Sequence, residues 1–171
     1  PSNDVFNMFG QYVIERGDYL FTLQGVINKR FRIGSGSTIT WNGNVEDAQM
    51  DIQAIYSLRT NLLPLNPGSE EEIFKRRLQV DCQINLEGKL MEPIISFDIN
   101  VPLAESNDEI NSVLQNALNT DERVSRQFIN LLVINSFASD DPMMGSGVTQ
   151  GLASTVSEML SNQLSNWLSQ W

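Results

Sequence analysis

The feature that most constrains this chain is a strict two-residue alternation of apolar and polar side chains. It runs unbroken over residues 78–87, where Leu, Val, Cys, Ile and Leu alternate with Gln, Asp, Gln, Asn and Glu. Successive side chains of a β-strand point to opposite faces, so this period is typical of a strand with one buried face. Similar alternation at 48–58, 95–101 and 19–23 predicts further strands. We therefore expect a β-rich sheet with one apolar and one polar face.

Turn signals separate these strands. Residues 42–43 (Asn-Gly) favour a tight hairpin, because both central positions of a type I′ turn need positive φ. Residues 16–18 (Arg-Gly-Asp), 34–36 (Gly-Ser-Gly) and 87–89 (Glu-Gly-Lys) are expected to turn as well. Connections this short imply that neighbouring strands pair in the antiparallel sense.

After residue 102 the period of the apolar residues changes to that of helices. Ser106 and Glu109 fit a capping box, in which each side chain satisfies a free backbone N–H at the helix start. Either Thr120 or Asp121 is expected to cap a second helix.

These patterns divide the chain into four parts. They are a β-rich segment at 1–102, a helical segment at 103–138, a flexible linker at 139–151 and an amphipathic helix at 152–171. The apolar stripe of the last helix consists of Val156, Met159, Leu160, Leu164, Trp167, Leu168 and Trp171. We expect this stripe to pack over the open end of the sheet, with the seam of a homodimer as an alternative. Membrane-surface binding is less favoured, because the polar face carries no Lys or Arg.

The composition argues against catalysis and against several classes of partner. The chain has no histidine, which removes Ser–His and Cys–His pairs, and its one cysteine, Cys82, falls on an apolar strand face. We therefore expect no enzyme, no catalytic residue, no metal site and no cofactor. The net charge of −10 argues against nucleic acid and against docking on anionic lipid.

The apolar strand faces have two interpretations. Periodicity alone favours an ordinary core, in which these faces pack on each other or on the helices. In the alternative, the sheet curves and its apolar face lines a groove. A strand over residues 78–86 spans about 30 Å. Each acyl methylene buried there would contribute about 0.8 kcal/mol.

The spacing of glycines and aromatics adds a second line of argument. The pattern comprises Gly10, Tyr12, Gly17, Tyr19, Phe21-Thr22-Leu23, Phe31, Gly36-Ser37, Ile39, Trp41, Gly43, Ala48, Ala54, Tyr56, residues 80–88, Pro93, Ile95, Phe97, Arg126-Gln127-Phe128 and residues 161–168. It resembles the carboxy-terminal region of the TamB family, the translocation and assembly module subunit of the AsmA-like group. The resemblance covers nearly the whole chain.

The resemblance implies a mainly β fold with carboxy-terminal helices, in which a curved antiparallel sheet forms an open, apolar-lined, β-taco-like trough. It implies a fragment of an inner-membrane-anchored protein in the periplasm of a diderm bacterium. Such a protein would carry phospholipid along the trough and support outer-membrane biogenesis. The alternative role is a scaffold or chaperone for outer-membrane protein and autotransporter assembly and secretion, with an Omp85-type barrel. The family continues into further strands after the last helix, so the barrel contact is expected beyond Trp171.

The resemblance thus favours an apolar face that works as a binding surface over a closed core. The candidate lipid-binding residues are the apolar side chains of the alternating segments. They are Tyr19, Phe21, Leu23, Phe31, Ile33, Ile39, Trp41, Met50, Ile52, Ala54, Tyr56, Leu78, Val80, Ile84, Leu86, Ile95, Phe97, Ile99 and Val101.

Overall fold

The computed structural model describes residues 6–23 and 27–140. This part of the chain is mainly antiparallel β-sheet followed by helices, and the sheet stays open, which confirms the expected fold class. The strands are β1 (Asn7–Ile14), β2 (Asp18–Leu23), β3 (Ile27–Ile33), β4 (Ser37–Asn44), β5 (Gln49–Thr60), β6 (Leu78–Lys89) and β7 (Glu92–Asn100). The helices are α1 (Glu72–Lys75), α2 (Asp108–Ala117) and α3 (Asp121–Ile134).

The centre of the sheet is the antiparallel meander of β5, β6 and β7. β5 and β6 pair over their full twelve residues, from Gln49 opposite Lys89 to Thr60 opposite Leu78. The alternation explains this length, because nearly every second side chain of both strands is buried on the same face. The turn into β7 lies at 90–91 rather than at the predicted 87–89, and Gly88 sits inside β6 with a φ of 87°.

The other four strands form one long two-stranded ribbon with a break in its middle. β1 pairs with β4 and β2 pairs with β3, so 7–23 and 27–44 run antiparallel as two interrupted strands. Along the edge of this ribbon that faces β5, β4 pairs with the first residues of β5, 49–51, and β3 pairs with its middle, at Ala54 and Ile55. The strands are therefore interrupted at the expected turns, 16–18 and 34–36. The two interruptions lie next to each other in the ribbon, and neither of them closes a hairpin.

The break at residues 34–36 is a bulge against β5. Five steps separate Ile33 from Thr38, whereas only three separate their partners Ala54 and Asp51. Ser37 holds the bulge, because its Oγ donates to the Gly34 carbonyl at 2.8 Å and accepts from the Gln53 N–H at 3.1 Å. Extra residues of this kind bend a strand and increase its twist, which suits an open, curved sheet.

The hairpin predicted at residues 42–43 is wrong. Asn42 and Gly43 lie inside β4, opposite Phe9 and Met8 of β1. The chain instead turns in the 3₁₀-helix Val45–Asp47. An Asn-Gly signal is local and contains no information on pairing with another strand. The turn predicted from it is therefore about two residues too early.

The helices α2 and α3 begin at polar caps, and the cap of α2 differs from the expected residue. Thr120 caps α3 as predicted, with its Oγ1 accepting from the Arg123 N–H at 3.2 Å. The predicted capping box at Ser106 is wrong, because Asn107 accepts from the Ile110 N–H at 3.0 Å instead. Ser106 lies in the 3₁₀-helix Pro102–Ser106 and donates to the Leu103 carbonyl.

The core lies between the helices and one face of the sheet. Phe128 of α3 packs against Phe97 of β7 and Phe31 of β3, and both Phe128 and Phe31 are fully buried. Burial of a side chain of this size stabilises the fold by roughly 2–3 kcal/mol. α3 therefore bridges strands from both halves of the sheet.

The four-part division of the chain inferred from the sequence stays a prediction. Strands end at Asn100 and helices occupy Asp108–Ile134. The predicted linker at 139–151, apart from its first two residues, and the predicted helix at 152–171 lie outside the described residues. Within 6–23 and 27–140, no helix combines the length and apolar character that crossing a bilayer requires.

Candidate functional site

The face of the sheet that carries α2 and α3, called here the inner face, collects the predicted lipid-binding residues. Those that are buried are Phe21, Phe31, Met50, Ile52, Ala54, Leu78, Val80, Ile84, Leu86 and Val101. Those that are half-buried are Tyr19, Ile33, Ile39, Trp41, Tyr56, Ile95, Phe97 and Ile99. The side chain of Leu23 lies outside the described part. Over most of the inner face these residues thus contact the chain's own helices and loops.

The helices and loops within the described part of the chain leave the inner face partly exposed beside β1 and β4. Met8, Tyr12, Ile39 and Trp41, called here the inner strip, lie on this face, with Tyr12 directly opposite Ile39. Tyr12 is 55% exposed, and Gly10 opposite Trp41 contributes no side chain. The strip carries no charged group, so it is an apolar surface open to an apolar contact.

The indole of Trp41 adds a polar detail to the inner strip. Its Nε1 is enclosed, yet it donates to no acceptor among the residues that the structure describes. A buried donor without a partner costs roughly 1–3 kcal/mol.

The free edge of β1, on the side away from β4, is the second exposed feature. β1 pairs with β4 alone among the described strands, and seven of its eight residues are exposed. Phe9 and Val13 project from the outer face, with exposed fractions of 75% and 47%. β1 therefore offers unpaired backbone groups between apolar side chains on both faces.

The edge of β1 lacks the features that keep sheet edges from pairing. Its sequence, NMFGQYVI, contains neither a charged residue nor a proline. The other described edges differ: β2 begins at Asp18, and β7 carries Glu92, Pro93 and Asp98. Charges and prolines are the usual protection of an edge strand, so β1 is the unprotected edge of this sheet.

The outer face of the central strands is polar and its groups satisfy one another. Asp81 accepts from Ser57 Oγ at 2.6 Å, and Asn85 donates to Asp98 at 3.3 Å. These carboxylates are engaged in a hydrogen-bonded ladder, which is a structural role. Within residues 6–23 and 27–140, no group of three or more His, Cys, Asp or Glu side chains could hold a metal ion.

Cys82 lies in the core on the inner face. Burial, reinforced by the charge of Asp81, raises the pKa of its thiol to about 12. The thiol therefore stays protonated at neutral pH and behaves as a small apolar group, since the thiolate is the nucleophilic form.

Sequence reasoning did not single out β1 as a candidate element. Met8, Phe9 and Val13 were not among the candidate residues, and Tyr12 entered only through the family pattern. The signal was the absence of any charge from Val5 to Ile14 around three aromatic residues. That pattern is too irregular to predict a strand, because Gly10 and Gln11 interrupt the alternation.

Within residues 6–23 and 27–140, the fold is that of an open β-sheet domain with one face packed by helices, an exposed apolar strip and an edge strand without charge or proline. The family comparison gives the specific assignment. The family model of the TamB C-terminal domain matches residues 1–170, so the chain belongs to that family. Comparisons with curated proteins and with solved structures give no significant match.

Family membership confirms the resemblance and supplies a general role. The family comprises assembly and transport modules without enzymatic activity, and it works with an outer-membrane partner. The chain therefore has a role in the outer-membrane assembly system of the translocation-and-assembly-module type, as an envelope protein of a diderm bacterium.

Proposed function

We propose that this domain is a docking scaffold for outer-membrane protein assembly, and that the free edge of β1 accepts a β-strand of an Omp85-type barrel or of its client. The single observation that carries the proposal is the unprotected edge itself. β1 is the described edge strand without charge or proline, and it exposes apolar side chains on both faces.

The physics of strand addition explains why such an edge binds. An added strand satisfies a row of backbone N–H and C=O groups, which gives affinity largely independent of sequence. Phe9 and Val13 on one face and Tyr12 on the other would pack against the added strand's side chains. Cross-strand pairs of this kind each contribute roughly 0.2–1 kcal/mol.

The chemistry of the edge favours a strand from a membrane barrel. Such strands alternate apolar and polar residues and carry little charge on their lipid-facing side. An uncharged edge accepts such a strand without burying an unpaired charge. In this proposal the domain acts in the periplasm, as part of an inner-membrane-anchored protein that meets the barrel there.

The experiment combines a crosslinker with a matched pair of edge substitutions. A photo-reactive amino acid replaces Phe9 in the complete protein, expressed in a diderm host. We expect adducts with an outer-membrane β-barrel protein. Val13→Lys should abolish them, because a lysine on an edge strand opposes further pairing. Ile94→Lys on β7, where the native side chain is 70% exposed, should leave the adducts unchanged.

Two results would count against the docking proposal. One is a set of adducts with lipid or with a second copy of the chain and none with a barrel protein. The other is an undiminished barrel adduct in a folded Val13→Lys variant. Circular dichroism and thermal unfolding of both lysine variants establish that each is folded.

Phospholipid carriage is a second candidate, supported by the exposure of the inner strip. Tyr12 and Met8 continue the apolar face beyond the part covered by α3, so acyl chains have a surface to contact. Carriage along the whole face would require the helices to leave Phe31 and Phe97. If phospholipid instead binds at the inner strip alone, purified protein should retain phospholipid. Tyr12→Asp should release it, whereas Val13→Asp on the opposite face should not. Protein that retains no phospholipid under mild extraction would sink this candidate.

A further inference from the structure

We propose that residues 152–171 form an amphipathic helix that lies on the inner strip beside α3. The occupant of the strip would then be the chain's own carboxy-terminal segment. This inference is independent of the β1 edge, and it competes with phospholipid for the strip.

The dimensions of the surface fit a second helix. At the level of the strip, β1, β4, β5, β6 and β7 lie side by side, so the inner face is roughly 19 Å wide. A helix over residues 156–171 would be about 24 Å long. Along β5, Ala54 lies level with Phe97, which α3 covers, and Met50 is the partner of Ile39 in the strip. These two levels of the sheet are about 13 Å apart. Packed helices lie 8–10 Å apart, so there is room beside α3.

The chain between Asp140 and the proposed helix is long enough to bring the helix to the inner strip. Asp140 is held at the first half of α3 by Arg123 and Arg126. Gln127 also holds Ala138: its side-chain amide donates to the Ala138 carbonyl and accepts from the Ala138 N–H. Eleven residues then precede Leu152. They can span up to roughly 36–40 Å, more than the width of the sheet.

The chemistry of the segment matches the strip better than phospholipid does. The strip has no charged side chain, and from Gly151 to Trp171 the chain has Glu158 as its one charged residue. A phospholipid phosphate would need a cation, which none of the four strip residues supplies.

The three tryptophans of the chain provide the test. They are Trp41 in the strip and Trp167 and Trp171 in the segment, so replacing the latter two with Phe leaves Trp41 as the reporter. In that background, Leu164→Asp on the apolar stripe should shift Trp41 emission to longer wavelength and increase its quenching by acrylamide. Ser165→Asp places the same charge on the opposite face and should change neither. Unchanged Trp41 emission in the Leu164→Asp variant would overturn the proposal.

A crosslinking experiment needs no disruptive charge. A photo-reactive amino acid at Tyr12, on the inner face, should crosslink to residues 152–171 within one chain, as mapped by mass spectrometry. The same group at Val13, the next residue on the opposite face, should not. Crosslinks from Tyr12 to lipid alone, to a second copy or to no part of the segment would each overturn the proposal. None of these outcomes affects the Phe9 adducts that test the β1 edge.

Discussion

Phe128 and Phe97 anchor α3 to the sheet, with ring centroids 4.5 Å apart and 30° between the ring planes. The contact places the helix over the middle of the inner face, where Phe128 also lies 6.4 Å from Phe31. Because this part of the face is filled, the candidate surfaces for partners among the described residues are the inner strip and the edge of β1.

The first prediction concerns this anchor. Phe128→Ala should lower the free energy of unfolding by about 3–5 kcal/mol, because it leaves a cavity against Phe97 and Phe31. Ile134→Ala on the exposed side of the same helix should cost less than about 0.5 kcal/mol. Urea unfolding of both variants measures the difference. Equal losses would mean that α3 is not packed on the sheet.

The second prediction tests the start of α2. Asn107→Ala should cost about 1 kcal/mol, because the Ile110 N–H loses its acceptor. Ser106→Ala removes a hydroxyl that donates to a carbonyl outside α2 and should cost less than half as much. If thermal unfolding instead shows the larger loss for Ser106→Ala, the capping box expected from the sequence is the correct start.

The third prediction concerns the bulge between β3 and β4. Ser37→Ala should destabilise by roughly 1–3 kcal/mol, since the partly buried Gln53 N–H loses its acceptor and the Gly34 carbonyl loses a donor. Ser35→Ala in the same turn is the control, because that residue is exposed and should tolerate the change. Indistinguishable unfolding midpoints for the two variants would argue that Ser37 does not hold the bulge.

The fourth prediction follows from the raised pKa of Cys82. The native protein at pH 8 should resist thiol reagents and react only after unfolding, because the folded thiol has a pKa of about 12. Well below the ordinary thiol pKa of about 9, the thiol is protonated in both states and contributes no pH dependence. Above pH 9 the unfolded chain releases this proton while the folded chain keeps it, so stability falls as the pH rises. The Cys82→Ala variant should lack this part of the fall in the free energy of unfolding with rising pH. Rapid labelling of the thiol in native protein at pH 8 would contradict the assignment.

The sequence predicts the central strands well because their signal is local. Alternation over 78–87 identifies β6 and its buried face without reference to any partner. The turn at Asn42-Gly43 and the cap at Ser106 fail for the opposite reason. Each is a good local signal overridden by what pairs or packs nearby: β1 in one case and the neighbouring Asn107 in the other.

The candidate site shows the same limit more sharply. A strand that faces a ligand groove and a strand that faces a helix alternate identically, so periodicity does not reveal that α3 covers Phe31 and Phe97. The free edge of β1 depends on which strands lie beside it, a fact of topology rather than composition. Its lack of charge was visible in the sequence, but its meaning required the strand order.

The most direct measurement of the central claim is amide protection along β1, recorded by NMR with and without the periplasmic part of an Omp85-type barrel protein. Successive N–H groups of a strand point to opposite edges, so in the free domain every second amide from Met8 to Val13 should exchange quickly. On adding the partner, those same alternate amides should become protected, with β7 unchanged. Protection that appears elsewhere while the fast β1 amides stay fast would contradict strand addition at this edge.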